Sequence, residues 1–190
     1  MTDAISTELL STPSQTVGPF LSIGLDWGRP GRLVVPEGTA GAFWIRGEIL
    51  DGDGDVIRDA LIETWQADPD GRFDHPDDAR ERARGWRGLG RSDTRLGEFA
   101  IYTVQPGSVP DREDRPQAPH LNVSVFARGM LHRVTTRIYF PEHAAANELD
   151  PALRTVPHDR RHSLCAKPTS DGYRFDIHLQ GPKETVFFDV

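Results

Sequence analysis

A single cysteine, Cys165, stands among 190 residues, so no internal disulfide can form and the fold must rest on packing and hydrogen bonding. No apolar run approaches the roughly 20 residues needed to cross a bilayer as a helix. A basic surplus is also missing. The net charge of -7 argues against nonspecific nucleic-acid binding, which needs cations to displace the counterions of phosphates. The opening Met1-Thr2-Asp3-Ala4-Ile5 lacks the basic and apolar segments of a signal peptide, so a cytoplasmic location is expected, with no membrane and no nucleic-acid partner. There is no G-x-S-x-G nucleophile elbow, internal repeat or coiled-coil pattern. Apolar residues make up 37%, low for a compact monomer of this length, while Gly 18 and Pro 15 favour many turns over long helices.

What is present reads as β structure behind an irregular arm. Residues 1–40 read as an arm and loops. Pro13, Gly18 and Pro19 interrupt any period there, while Val17, Pro19 and Phe20 favour a segment laid against a surface. Residues 41–190 then show short runs rich in branched and aromatic residues, set apart by Gly, Pro and Asp clusters. The expected strands are Ala42 to Leu50, Ala60 to Trp65, Glu98 to Val104, Leu121 to Phe126, His132 to Phe140, Tyr173 to Leu179 and Thr185 to Phe188. Only Glu142 to Leu149, after Pro141, reads as a short helix. The basic stretch from Arg80 to Arg87 is flanked by acids and reads as a solvated loop. The fold class is therefore all-β: an antiparallel β-sandwich core with an irregular N-terminal arm and long loops.

Several motifs suggest metals and fail on their own chemistry. Asp51-Gly52-Asp53-Gly54-Asp55 opens like a calcium loop, but the sixth and twelfth positions are Val56 and Ile62 instead of glycine and a bidentate glutamate, which leaves a hairpin turn. His158 and His162 are spaced for a shared ligand, yet Arg160 and Arg161 between them would repel a cation. Cys165, between Leu164 and Ala166, reads as a buried apolar residue and not a nucleophile. The informative motif is Pro119-His120-Leu121-Asn122. On a strand His120 and Asn122 face the same way, as a His-x-His metal pair would, but a carboxamide replaces the second imidazole.

Four stretches carry a family likeness: Ala60 to Phe73, Thr103-Val104-Gln105-Pro106-Gly107, Ala118-Pro119-His120-Leu121-Asn122 and Arg137-Ile138-Tyr139-Phe140. Together they resemble the intradiol ring-cleavage dioxygenases, with the likeness running from Thr12 to the C-terminal Gln180 to Asp189 segment. The resemblance implies a β-sandwich with irregular arms. It also implies a ferric ion held by two tyrosines and two histidines, whose phenolates suit a hard cation. On this chain those four positions fall at Phe73, Val109, His120 and Asn122, so three have lost their donor and no metal is expected here. The resemblance then implies a non-catalytic subunit in a hetero-oligomer, whose homologous partner subunit holds Fe(III) and acts on protocatechuate and dioxygen in aromatic catabolism by the β-ketoadipate route. It further implies that Thr16, Gly18, Pro19, Phe20 and Arg128 contribute to the partner's substrate pocket. A guanidinium at Arg128 suits a substrate carboxylate. An interface arm and an exposed turn arginine remain the simpler readings of those residues. Two alternatives stay open: a transthyretin-like binding or scaffolding module, and a self-sufficient metalloenzyme rebuilt around His120 with help from Asp74 or His75.

Overall fold

The computed structural model describes residues 11–78, 80 and 86–189. The strands are β1 (Phe43–Gly47), β2 (Ile49–Leu50), β3 (Leu61–Trp65), β4 (Leu89–Asp93), β5 (Phe99–Thr103), β6 (Val109–Pro110), β7 (Pro116–Gln117), β8 (His120–Phe126), β9 (Val134–Tyr139), β10 (Lys167–Thr169), β11 (Gly172–Arg174) and β12 (Ile177–His178). The helices are α1 (Phe20–Leu25), α2 (Arg29–Arg32) and α3 (Ala144–Leu149), with 3₁₀ turns at Pro141–His143, Leu153–Thr155 and His158–Leu164. Among the described residues no helix is long and apolar enough to cross a membrane.

Two four-stranded sheets carry the core, in the orders β10-β11-β1-β5 and β4-β3-β8-β9. Alternation along each strand builds it. Ile45 and Phe99 from the first sheet join Ile62, Leu121, Val123, Val125 and Ile138 from the second in one buried cluster. Each such side chain contributes about 1.5–3 kcal/mol relative to leaving it in water. The opposite face of the second sheet therefore carries His120, Asn122 and Ser124 from β8, with Trp65 paired to Asn122 across β3 and Arg137 paired to it across β9. A second, smaller cluster of Tyr139, Leu153, Val156, Leu164 and Ala118 covers the His120 end.

The all-β sandwich is as expected, but several details differ. The expected strand from Ala42 to Leu50 breaks at Glu48, whose amide donates to Asp176 Oδ1 at 3.0 Å. The expected Tyr173 to Leu179 strand divides around Phe175 and Asp176. Its two pieces pair in parallel, β11 with β1 and β12 with β2, so the sandwich is not purely antiparallel. Side-chain alternation is the same for both directions, so the sequence carries no sign of the choice. Gly47 permits it, because a Cβ there would lie 1.8 Å from the carbonyl oxygen of Phe175.

Thr185 to Phe188 forms no strand, only a bridge from Phe188 to Thr135. The Phe188 amide donates to the Thr135 carbonyl at 2.8 Å, and the carbonyls of Val186 and Phe188 accept hydroxyl bonds from Thr136 and Thr135 at 2.7 and 2.6 Å. Strand β4, Leu-Gly-Arg-Ser-Asp, has too little apolar character to be expected and is held by full pairing to β3. The Asp51 turn is a hairpin turn: Asp51 Oδ1 accepts the amides of Asp53 and Asp55 at 3.0 and 2.9 Å. Within the arm, residues 11–18 are irregular and α1 begins at Phe20. Residues 1–10, and residues 81–85 of the basic stretch, lie outside the described residues.

Candidate functional site

Phe73 and Val109 reach one another because two turns are locked together. Buried Asp68 accepts the amides of Asp70 and Arg72 at 3.0 and 2.8 Å, and the Arg72 Nε at 2.8 Å. Its carbonyl accepts the amides of Gly71 and Gly107 at 2.9 and 2.8 Å, which joins the two turns. Gly71 has φ +77°, and a Cβ there would sit 2.2 Å from the carbonyl oxygen of Ser108. The chain then leaves toward Phe73, whose amide donates to Asp78 Oδ2 at 2.9 Å. The Arg80 guanidinium, and next the Phe73 amide, hold the Asp78 carboxyl well below the usual carboxylate range. Phe73 stacks on Trp65 with ring centroids 6.2 Å apart and planes at 6°. Both rings and Val109 line a cavity of about 610 Å³ with His75, Asp77, Asp78, Arg80 and Pro110.

The His120 end is built differently. His120 is buried, and its Nδ1 lies 2.8 Å from the carbonyl oxygen of Ala118, which fixes the ring. Burial, and then the positive charge of Arg137, push the imidazole down to about 4, so it is neutral at pH 7. Its register partner Tyr139 lies with ring centroids 5.6 Å away. The Tyr139 hydroxyl donates to Asp150 Oδ1 at 3.1 Å and accepts from Arg137 Nη1 at 3.2 Å. Burial raises the Tyr139 phenol far above its ordinary value, so it is no source of phenolate. Asp150 is fully buried and also accepts the amides of Ala118, Ala152 and Leu153 at 2.8, 2.9 and 2.8 Å. Tyr139, Asp150 and Arg137 were given no role by the sequence reading. The signal for Asp150 was faint: an acid followed by Pro151 some thirty residues from the strand it anchors.

The four positions fall in two pairs, His120 and Asn122 on β8 and Phe73 and Val109 at a separate cavity. Phe73 and Val109 share one cavity. Trp65 links it to Asn122, which lines a second cavity of about 360 Å³. Phe73 and Val109 offer no donor atom. A ferric ion needs hard anionic oxygens, and at His120 it would meet a desolvated neutral ring beside a guanidinium. The residues present do not fit that ion. His75 lines the same cavity as Phe73 and Val109, with its Nδ1 accepting the Asp77 amide at 3.2 Å in an exposed turn. Among the described residues no three His, Cys, Asp or Glu side chains converge to hold a metal.

The arm residues fall elsewhere. Thr16 Oγ1 accepts the Gly129 amide at 2.7 Å, placing the arm beside Arg128, while Val17 lines a cavity of about 540 Å³ with Phe126, Met130 and Phe188. Arg128 pairs with Asp59 and its side chain is 61% exposed. Gly18 and Pro19 are exposed, and Phe20 is 77% exposed, so only the first part of the segment lies against its own domain.

Comparisons with known proteins place the chain in a family. A family model described as Dioxygenase matches residues 35–181. The chain is 40% identical over 200 residues to the protocatechuate 3,4-dioxygenase alpha chain of Burkholderia cepacia, covering 97% of this chain and 100% of that one. To the beta chain of the same enzyme and organism it is 29% identical over 154 residues, covering 74% of this chain and 65% of that one. Among solved structures, the dioxygenase domain of a dioxygenase–carbohydrate-binding protein fusion from Streptomyces sp. SirexAA-E shares the fold. Its TM-score is 0.54 at 20% identity, over 90% of this chain and 99% of that one. This chain belongs to the intradiol ring-cleavage dioxygenase family.

Proposed function

We propose that this chain is the non-catalytic α subunit of a protocatechuate 3,4-dioxygenase, assembled with a homologous iron-bearing β subunit in the cytoplasm. The observation that carries the reading is the combination of 40% identity to an alpha chain over nearly the full length with the loss of donors at Phe73, Val109 and Asn122. The fold is kept while the coordination chemistry is gone, so the chain's contribution lies in assembly and in shaping a neighbouring pocket. Ring cleavage of protocatechuate to 3-carboxy-cis,cis-muconate takes place at the ferric site of the β subunit, where dioxygen is also consumed.

In this reading residues 1–40 form the arm that contacts the partner, and residues 41–190 form the supporting sandwich. The exposed Gly18, Pro19 and Phe20 extend beyond the Thr16–Gly129 anchor and are free to enter a neighbouring subunit. Phe20, 77% exposed, and Ile23, 57% exposed, offer apolar surface that a partner can cover. Arg128 sits next to that anchor with an exposed guanidinium held by one half-buried carboxylate, Asp59, which a substrate carboxylate can rival. Co-expression with a β chain tests the reading. It predicts a stable hetero-oligomer that cleaves protocatechuate, whereas failure to capture any β chain would favour a free-standing binding module.

A further inference from the structure

We propose that the outer-face cavity beside Asn122 is a binding site for the carboxylate of a small aromatic acid, built on Arg137 and Arg133. The cavity, about 360 Å³, lies within the size range of small-molecule pockets and is lined by Asn122, Ser124, Arg133, Thr135, Arg137 and Phe188. Its two guanidinium groups differ from those of the ion-paired arginines. Arg72, Arg91 and Arg128 each hold a carboxylate. Among the described residues neither Arg133 nor Arg137 has a carboxylate partner, and their bonds go to neutral oxygens. Arg133 Nη1 donates to Ser124 Oγ at 3.2 Å. Arg137 Nη1 donates to Gln117 Oε1 at 2.8 Å and to Tyr139 Oη at 3.2 Å.

Both Arg137 bonds use one nitrogen, which leaves Nη2 and Nε, one edge of the fork, for a bidentate acceptor. The tie through Tyr139 to Asp150 holds that fork in place before any ligand arrives. Phe188, whose ring centre is 5.9 Å from Arg137 Cζ, gives the same cavity an apolar plane for a ligand ring. Asp189 also lines the cavity as a single exposed acid against the two cations. The arginine that disfavours a metal beside His120 thereby makes an anion site of the neighbouring space. This inference stands whether or not the chain is an α subunit, since it uses only its own residues.

The test is a ¹⁹F NMR titration of the full chain with 4-fluorobenzoate, with 4-fluorobenzamide as a ring of equal size and no charge. The expected result is a saturable shift with the acid, and affinity at least about tenfold weaker for the amide and for Arg137→Gln, since a hydrogen-bonded charge is lost in each. Arg133→Gln is expected to weaken binding by a smaller factor. Circular dichroism checks that Arg137→Gln is folded. If it is not, Arg133→Gln and the amide comparison decide the matter. Absence of a saturable shift in the wild-type chain overturns the proposal, as does equal binding of acid and amide. So does unchanged binding in a folded Arg137→Gln. Co-purification with a β chain is scored separately, so failure here leaves the subunit reading intact, and the reverse.

Discussion

Asp150→Ala should be among the most destabilising single changes in this chain. The carboxylate is fully buried and accepts four hydrogen bonds, from the amides of Ala118, Ala152 and Leu153 and from the Tyr139 hydroxyl. Leaving a buried donor unsatisfied costs about 1–3 kcal/mol. Water entering the vacated space and local relaxation recover part of the sum, so a net loss of about 3–5 kcal/mol is expected. Most small domains have only about 5–15 kcal/mol to lose. Urea unfolding followed by tryptophan fluorescence measures it, with the denaturation midpoint falling at an unchanged slope. Asp150→Asn keeps the volume and part of the acceptor capacity, so its loss should be smaller. Native-state hydrogen exchange adds a spatial check. The amides of Ala118 and His120 should lose protection, while those of Ile45 and Ile101 in the other sheet change only with global stability. A loss below about 1 kcal/mol for Asp150→Ala would refute the view that this carboxylate fixes the start of β8.

Three further outcomes follow from the same geometry. Burial pushes the folded His120 imidazole down to about 4 from an ordinary value near 6.5, so its stability contribution is complete above pH 6.5 and is lost as the pH falls toward 4. The size is up to about 3 kcal/mol, and His120→Gln should flatten that part of the stability–pH curve. Gly71→Ala should destabilise by about 2 kcal/mol or more and unseat Phe73, since φ +77° and the Ser108 carbonyl both oppose a Cβ. Calorimetry and the Trp65–Phe73 near-ultraviolet signal would show it. Arg128→Ala should leave folding within about 0.5 kcal/mol, because its pair with Asp59 is exposed. In the α–β complex it should raise KM for protocatechuate or lower kcat, and unchanged kinetics would remove its pocket role.

The parts of the fold that were legible in the sequence share one physical cause. Leu121, Val123 and Val125 alternate with His120, Asn122 and Ser124, and from Leu121 onward burial follows that alternation, with His120 buried instead under the second cluster, so the core face and the shared orientation of the two site residues could be read. Donor loss at Phe73 and Val109 was equally legible, because it depends on side-chain chemistry alone. Pairing was not. Nothing in Tyr173 to Leu179 distinguishes parallel from antiparallel partners, and β4 is a strand only because β3 offers it a ladder. The buried network at the site was hidden for a related reason. Asp150 lies 32 residues from Ala118, and Arg137 meets His120 only through the β8–β9 register. Within the arm, Thr16 and Val17 lie on the domain, whereas Phe20, the first residue of α1, is exposed.

The central claim is that this chain keeps the dioxygenase fold without its iron chemistry, and a count of iron tests it most directly. Metal analysis should be run on the chain alone, on its complex with a β chain, and on the complex carrying His120→Ala. The account predicts trace iron in the lone chain, one iron per α–β pair in the complex, and the same value with His120→Ala. Stoichiometric iron in the lone folded chain, or loss of about half the iron of the complex on replacing His120, would contradict it.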